Sequence, residues 1–250
     1  MAKKSRRREI VDEVSEDVLL HNIEVSTKKQ WFCDFKINNE FKLTDVHNSF
    51  LQLLLYKDTK MVFVDGPAGT AKTYLAVYAA LQMLQKKQIN QIVYIRSIVE
   101  SASKSMGSLP GELQDKFQPW SLPLIEKLEE LVGPKIGGEL MRNNFIKCMP
   151  VNFVRGLTFR DSVVIADESQ NFSDSELTTI LTRFGENSKY IVIGDSFQSD
   201  IGKKSGFSKI RQVFDNEESD QRGIHSFVFT ENEVVRSEIL KFIVKKLENI

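Results

Sequence analysis

Residues 66–73 read GPAGTAKT, a near match to the phosphate-cradling pattern G-x-x-x-x-G-K-[ST]. Gly66 and Gly69 can adopt positive φ and admit a phosphate close to the backbone. N–H groups from about residue 68 to 73 would then form an anion nest at the positive end of a following helix. The candidate nucleotide-binding residues are Gly66, Pro67, Ala68, Gly69, Thr70, Ala71, Lys72, Thr73 and Tyr74. Lys72 is a mobile point charge able to reach β and γ phosphates, and the Thr73 hydroxyl suits Mg²⁺. Ala71 stands where the pattern asks for its second glycine. Lying just before Lys72, it is expected at negative φ as the helix opens, where alanine is favoured over glycine by up to ~1 kcal/mol.

Two later segments supply matching chemistry. The run VVIADES (163–169) ends a predicted strand in Asp167 and Glu168. Asp167 would bind Mg²⁺, directly or through water, and Glu168 would orient and polarise an attacking water. The run YIVIGDSFQSDI (190–201) places Gln198 one turn beyond another strand end, where its amide could meet the γ-phosphate or the water. Phosphoryl transfer spreads charge over the equatorial oxygens, which a guanidinium offsets well. Arg183 and Arg236 both occupy predicted helix positions able to serve, within one subunit or across to a neighbour, and the sequence does not rank them.

These residues need a scaffold that gathers strand ends. Five short apolar runs predict strands buried on both faces: 61–65, 91–96, 162–167, 190–195 and 225–230. Helical patterns alternate with them. Leu75, Ala79 and Met83 lie beside Ala76, Ala80 and Leu84 in adjacent rows over 72–87, and Val235, Ile239, Ile243 and Leu247 form a last stripe. The alternation predicts an α/β fold with a parallel sheet covered by helices on both faces, its ligands at the carboxyl ends of the strands. LTDVHNSFLQLLL opens on a Thr-Asp pair suited to capping a further helix. Residues 97–150 are expected to form a helical insertion above the strand ends, with a helix at Leu122–Leu131. Residues 1–20 form a charged tail, and 21–43 a small β segment leading into the main domain at 44–250.

Composition sets limits. Lys+Arg and Asp+Glu each number 34, so bulk charge does not demand a nucleic-acid partner, and any such contact must be local. Cys33 and Cys148 lack C-x-x-C spacing, which favours reduced thiols in a cytosol-like compartment. No apolar stretch is long enough to span a membrane, and the basic start has no apolar region behind it, so a soluble, cytoplasmic protein is expected.

Taken together, GPAGTAKTYLA, IRSIVESASKSMGSLPGELQDKFQPW, VNFVRGLTFRDSVVIADESQN, LTRFGENSKYIVIGDSFQSDI, KSGF and GIHSFVFTENEVVRSEI resemble the PhoH-like family of P-loop ATPases over roughly residues 45–249. The resemblance implies a RecA-like, helicase-related core, ATP and Mg²⁺ as ligands, and hydrolysis. It also implies a homo-oligomeric ring, with a hexamer favoured, and RNA or single-stranded nucleic acid as partner. By position it carries the phosphate and water-activating roles to Lys72, Thr73, Asp167, Glu168 and Gln198, and phosphate-facing roles to Arg236 and Arg183. The chain departs from the family at Ala71, at Ser169, where alanine is usual, and in TDVHNSF, which lacks the glutamine expected to read adenine.

Two functions follow. One is an ATPase coupled to nucleic acid, with candidate contacts Arg96, Ser97, Lys104, Arg155, Lys203 and Lys204 near strand ends. The other is a scaffold whose assembly is gated by nucleotide, with no role for nucleic acid.

Overall fold

The computed structural model describes residues 35–38, 42–97 and 113–235. The chain divides into two compact units, Met1–Lys36 and Ile37–Ile250. The expected tail at 1–20, most of the β segment at 21–43, Lys104, Arg236 and the last helical stripe beyond Val235 lie outside the described residues.

The second unit is built on strands β1 (Met61–Asp65), β2 (Gln91–Arg96), β3 (Ile146–Pro150), β4 (Ser162–Ala166), β5 (Lys189–Gly194) and β6 (Ile224–Val228). They form one sheet in the order β3-β2-β4-β5-β1-β6, and every neighbouring pair is parallel. The α/β expectation therefore holds, with two corrections. The last expected strand, β6, is not buried on both faces: it pairs only with β1 at the sheet edge and is half-buried, with Val228 exposed. Residues 97–150 are not wholly a helical insertion, because they end in β3. The segment IKCMP carries one β-branched residue and a proline, so little in its composition marks a strand. It is tolerated because β3 pairs only with β2, at the sheet edge.

The described helices are α1 (Asp45–Leu55), α2 (Lys72–Gln85), α3 (Leu113–Arg142), α4 (Asp174–Leu181), α5 (Phe207–Phe214) and the short α6 (Glu217–Gln221). Alternate residues of the strands feed two cores. Phe63, Val93, Ile95, Val164 and Val192 pack with Leu177 and Ile180 of α4 and Phe207 of α5. On the opposite face α2 lies against β2, β4 and β5, with α1 and α3 beside it. Leu75, Ala76, Ala79 and Ala80 are fully or almost fully buried there, as the adjacent apolar rows predict.

Helix ends follow local chemistry. Thr44 caps α1: its Oγ1 accepts from His47 N–H at 3.3 Å while its own N–H donates to His47 Nδ1 at 3.2 Å. At the other end the buried Lys189 ammonium donates to Leu54 O at 2.5 Å and Tyr56 O at 2.8 Å, at the negative pole of that helix. Burial pulls the Lys189 pKa down to about 8. α3 runs past the expected Leu122–Leu131 and is broken at Gly133 (φ 79, ψ 159). Pro134 restarts it at a first-turn position, where its missing N–H leaves no bond unmade. Among the described residues, no helix is long and apolar enough to cross a membrane.

Candidate functional site

The strand order determines what can meet. β5 lies between β1 and β4, so the residues that follow β5 stand between the loop after β1 and the carboxylates after β4. At the foot of the loop, Asp65 accepts from Ser196 N–H at 2.9 Å and pairs with Arg211 of α5 at 3.3 Å. The chain then turns at Gly66 (φ 150), where a Cβ would come within 2.8 Å of Phe229 O. Glycine is required there.

Gly69 has positive φ (88), and so does Ala71 (φ 59, ψ 19). The expectation for Ala71 was wrong. α2 begins only at Lys72, so Ala71 closes the nest in the left-handed region rather than opening the helix. Such a backbone costs an L-residue roughly 1–2 kcal/mol, which explains the glycine in the general pattern. Ala71→Gly is therefore expected to keep nucleotide binding and to raise folding stability by about 1 kcal/mol in denaturant titration, less the entropy gained by the unfolded chain. Ala71→Val, β-branched at positive φ, is expected to lose both stability and binding.

Behind the loop, the Lys72 ammonium donates to Gly66 O at 2.5 Å and Pro67 O at 2.8 Å. Burial lowers its pKa from the ordinary lysine value, and the carboxylates of Asp195, Asp167, Glu168 and Asp65 oppose this. Thr73 Oγ1 donates to Asp167 Oδ1 at 3.0 Å, joining the two residues expected at Mg²⁺. The other oxygen of Asp167, which is 3% exposed, accepts from the Tyr94 hydroxyl. Burial and the charge on Asp167 hold the Tyr94 phenol far above its usual pKa, so it stays a donor.

Glu168 follows in the left-handed region (φ 54, ψ 43). Its Oε2 accepts from Gln170 Nε2 at 2.7 Å, and its Oε1 lies 3.6 Å from Arg96 Nη2. Gln170 Oε1 in turn accepts from Asp195 N–H at 3.1 Å. Burial raises the Glu168 pKa above the ordinary glutamate value, as does the charge on Asp167; the Gln170 hydrogen bond, Arg96 and Lys72 pull it back. Asp195 is also raised by burial, and its Oδ2 is a buried oxygen with no partner among the described residues.

Ala68 to Tyr74 line one cleft of about 460 Å³ together with Asp167, Glu168, Gln170, Asp195 and Gln198, while Tyr94 and Arg96 support it from behind. Pro123, Glu126, Lys127 and Glu130 of α3 wall its outer side. Gly66 and Pro67 shape the loop without lining the cleft. The donors offered to a cation are a hydroxyl and hard carboxylate oxygens, and no cluster of three metal-ligating side chains occurs among the described residues. That set fits Mg²⁺ shared with phosphate oxygens, held by Thr73 and Asp167.

Other expected residues fall elsewhere. Arg183 lies beyond the last residue of α4, its carbonyl accepting from Phe159 N–H at 3.0 Å, ahead of the start of β4. It is thus at the amino edge of the sheet and does not face the phosphate loop of its own subunit, contrary to one of its two expected roles. The Val235 N–H donates to Gly69 O at 3.0 Å, so the chain passes the loop just before Arg236. Arg155, Lys203 and Lys204 are exposed in loops or short turns, and Ser97 is half-buried after β2. Arg96, expected to contact nucleic acid, is turned to Glu168. Tyr94 and Gln170 were missed. Tyr94 reads as one more apolar strand residue, and its hydroxyl near the strand end was the only hint.

The chain matches the family of PhoH-like proteins over residues 43–248. It is 36% identical over 191 residues to a PhoH-like protein of Bacillus subtilis (strain 168), covering 76% of this chain and 58% of that one. With a PhoH-like protein of Mycobacterium tuberculosis (strain ATCC 25618 / H37Rv) it shares 37% over 186 residues, 74% of this chain and 51% of that one. The chain spans about half the length of the curated relatives it matches. A solved Bacteroides sp Pif1 in complex with ADP-AlF4 aligns with 82% of this chain and 45% of its own at 19% identity, with a TM-score of 0.39, too loose a likeness to argue from.

Proposed function

The chain belongs to the PhoH-like family of P-loop proteins, and we propose that it hydrolyses ATP with Mg²⁺, coupled to RNA or another single-stranded nucleic acid, as a ring of subunits. The observation that carries the chemical part is the Thr73–Asp167 hydrogen bond in the same cleft as Lys72 and Glu168. A site built only to hold nucleotide has no need of a base beside its phosphates.

In this reading the nest from Ala68 to Thr73 takes the phosphates, and Lys72 exchanges the carbonyls of Gly66 and Pro67 for β and γ oxygens. Thr73 and Asp167 hold the cation, which when bound neutralises charge on those oxygens. Glu168 accepts the proton of the attacking water at a carboxylate oxygen. Gln198 contacts the γ-phosphate or the water. Arg236 offsets the charge from this subunit, or Arg183 does so from a neighbour, a role its place on the far edge allows only in a ring. Ser97, Arg155, Lys203 and Lys204 remain candidate contacts for the strand, with Lys104.

Phosphate release measured with Mg²⁺, with and without single-stranded RNA, DNA or duplex, tests the reading. No hydrolysis in any assembly state would sink the ATPase. Rates indifferent to every nucleic acid, with a mass that changes on nucleotide addition, would favour the nucleotide-gated scaffold. Tyr94→Phe removes a hydrogen bond to a charged carboxylate, worth about 1.5 kcal/mol. The Mg²⁺ concentration giving half-maximal rate is expected to rise by roughly tenfold, as read from a Mg²⁺ titration of turnover.

A further inference from the structure

Both oxygens of the Glu168 carboxylate are held, and the two holders differ. Gln170 is 4% exposed and engaged at both ends, donating to Glu168 Oε2 at 2.7 Å and accepting from Asp195 N–H at 3.1 Å. It ties the carboxylate to the segment after β5 that also carries Gln198. Arg96 closes β2, with its side chain 23% exposed, and meets Oε1 at 3.6 Å, an ion pair without a direct hydrogen bond. Half of the Glu168 side chain's surface, 45%, remains open beside it. A long ion pair that is half open on the Glu168 side is a weak one, so Arg96 can change partner at small cost. A planar guanidinium prefers the forked oxygens of a phosphate to a single distant carboxylate oxygen. An oxygen turned to a guanidinium is also a poor acceptor for the proton of a water.

We infer that Gln170 is the fixed positioning residue of Glu168 and that Arg96 is its exchangeable one, drawn off by a backbone phosphate of single-stranded nucleic acid to free Oε1 for the attacking water. This rests on the ATPase reading above and gives its coupling a physical form. The strand need not touch the nucleotide cleft. It takes one cation from the end of β2, and the base beside it is released.

The test is steady-state phosphate release by the full chain with Mg²⁺ and ATP, alone, with poly(U) RNA, with a single-stranded DNA oligonucleotide, and with heparin. Arg96→Ala is expected to raise the unstimulated kcat severalfold toward the stimulated wild-type value, with KM unchanged and no further response to RNA. Arg96→Lys keeps the charge and is expected to keep part of the stimulation. Gln170→Leu is expected to lower kcat by about tenfold, the loss of one hydrogen bond to a charged group, with or without RNA and with KM unchanged. The inference is overturned if Arg96→Ala loses kcat as Gln170→Leu does, or if RNA stimulates it by the wild-type factor. Stimulation of the wild type by heparin equal to that by RNA overturns the choice of ligand. If the wild type hydrolyses ATP but neither RNA nor DNA changes the rate, the inference falls and the ATPase stands. No hydrolysis at all removes both.

Discussion

Glu168→Gln is expected to lower kcat for ATP by ~10²–10⁴-fold while nucleotide affinity stays within about twofold of wild type. The amide keeps the shape of the side chain but cannot take the proton of the attacking water, whereas in the proposed reading phosphate is held by the loop and Lys72, which line the same cleft. Phosphate release and equilibrium binding of a nucleotide, measured side by side, separate the two effects. An unchanged rate would show that Glu168 is not the base. The same variant carries a stability prediction for the chain without nucleotide and with divalent cations chelated. Burial and Asp167 raise the folded pKa of Glu168 above its unfolded value. Its contribution to stability is therefore present in full below the unfolded pKa and is lost as pH rises through the folded one. At neutral pH the charged carboxylate is a liability in the fold, and Glu168→Gln is expected to unfold at a higher temperature than wild type. The difference should shrink as pH falls below the ordinary glutamate range.

Lys72→Met is expected to weaken nucleotide binding by ~10²-fold or more, because it leaves the β and γ phosphates without the cation at the centre of the nest. Its effect on the free protein should be much smaller. The methionine fills the same channel, the burial that lowers the lysine's pKa no longer opposes a charge, and only the carbonyls of Gly66 and Pro67 lose a donor. Stability within about 1 kcal/mol of wild type in denaturant titration, with nucleotide affinity gone, would locate the effect in the site. Wild-type affinity in this variant would mean that the phosphates lie elsewhere.

Some of this protein was legible before any fold was known. The apolar runs that became β1, β2, β4 and β5 are buried almost throughout, and a strand of that kind must be nearly continuous in apolar residues. β6, half-buried at the sheet edge, was legible only from its β-branched and aromatic run. The phosphate loop was legible because nest geometry demands particular residue types within eight positions, and Asp167 with Glu168 because a strand end is a fixed place in a parallel sheet. Ala71 shows the limit of such reading. Its neighbours suggested a helix start, but its φ of 59 is imposed by closing the loop, a requirement propensity does not contain. β3 stayed hidden for a related reason, since an edge strand needs only one neighbour and tolerates a weak composition.

The local chemistry of the site, then, is written in the order of residues: which groups can hold phosphate, which can take a proton, and which strand ends carry them. Its connections are not. That Tyr94 donates to Asp167, that Gln170 ties Glu168 to Asp195, that Arg96 turns to Glu168, and that Arg183 falls on the far edge depend on a strand order in which β4 lies between β2 and β5. Each partnership joins separate strand ends or depends on how a loop turns between them, and several join residues far apart in the chain. Local spacing constrains backbone shape over a few residues, whereas contacts between distant strand ends are set only when the sheet closes its register and both cores pack.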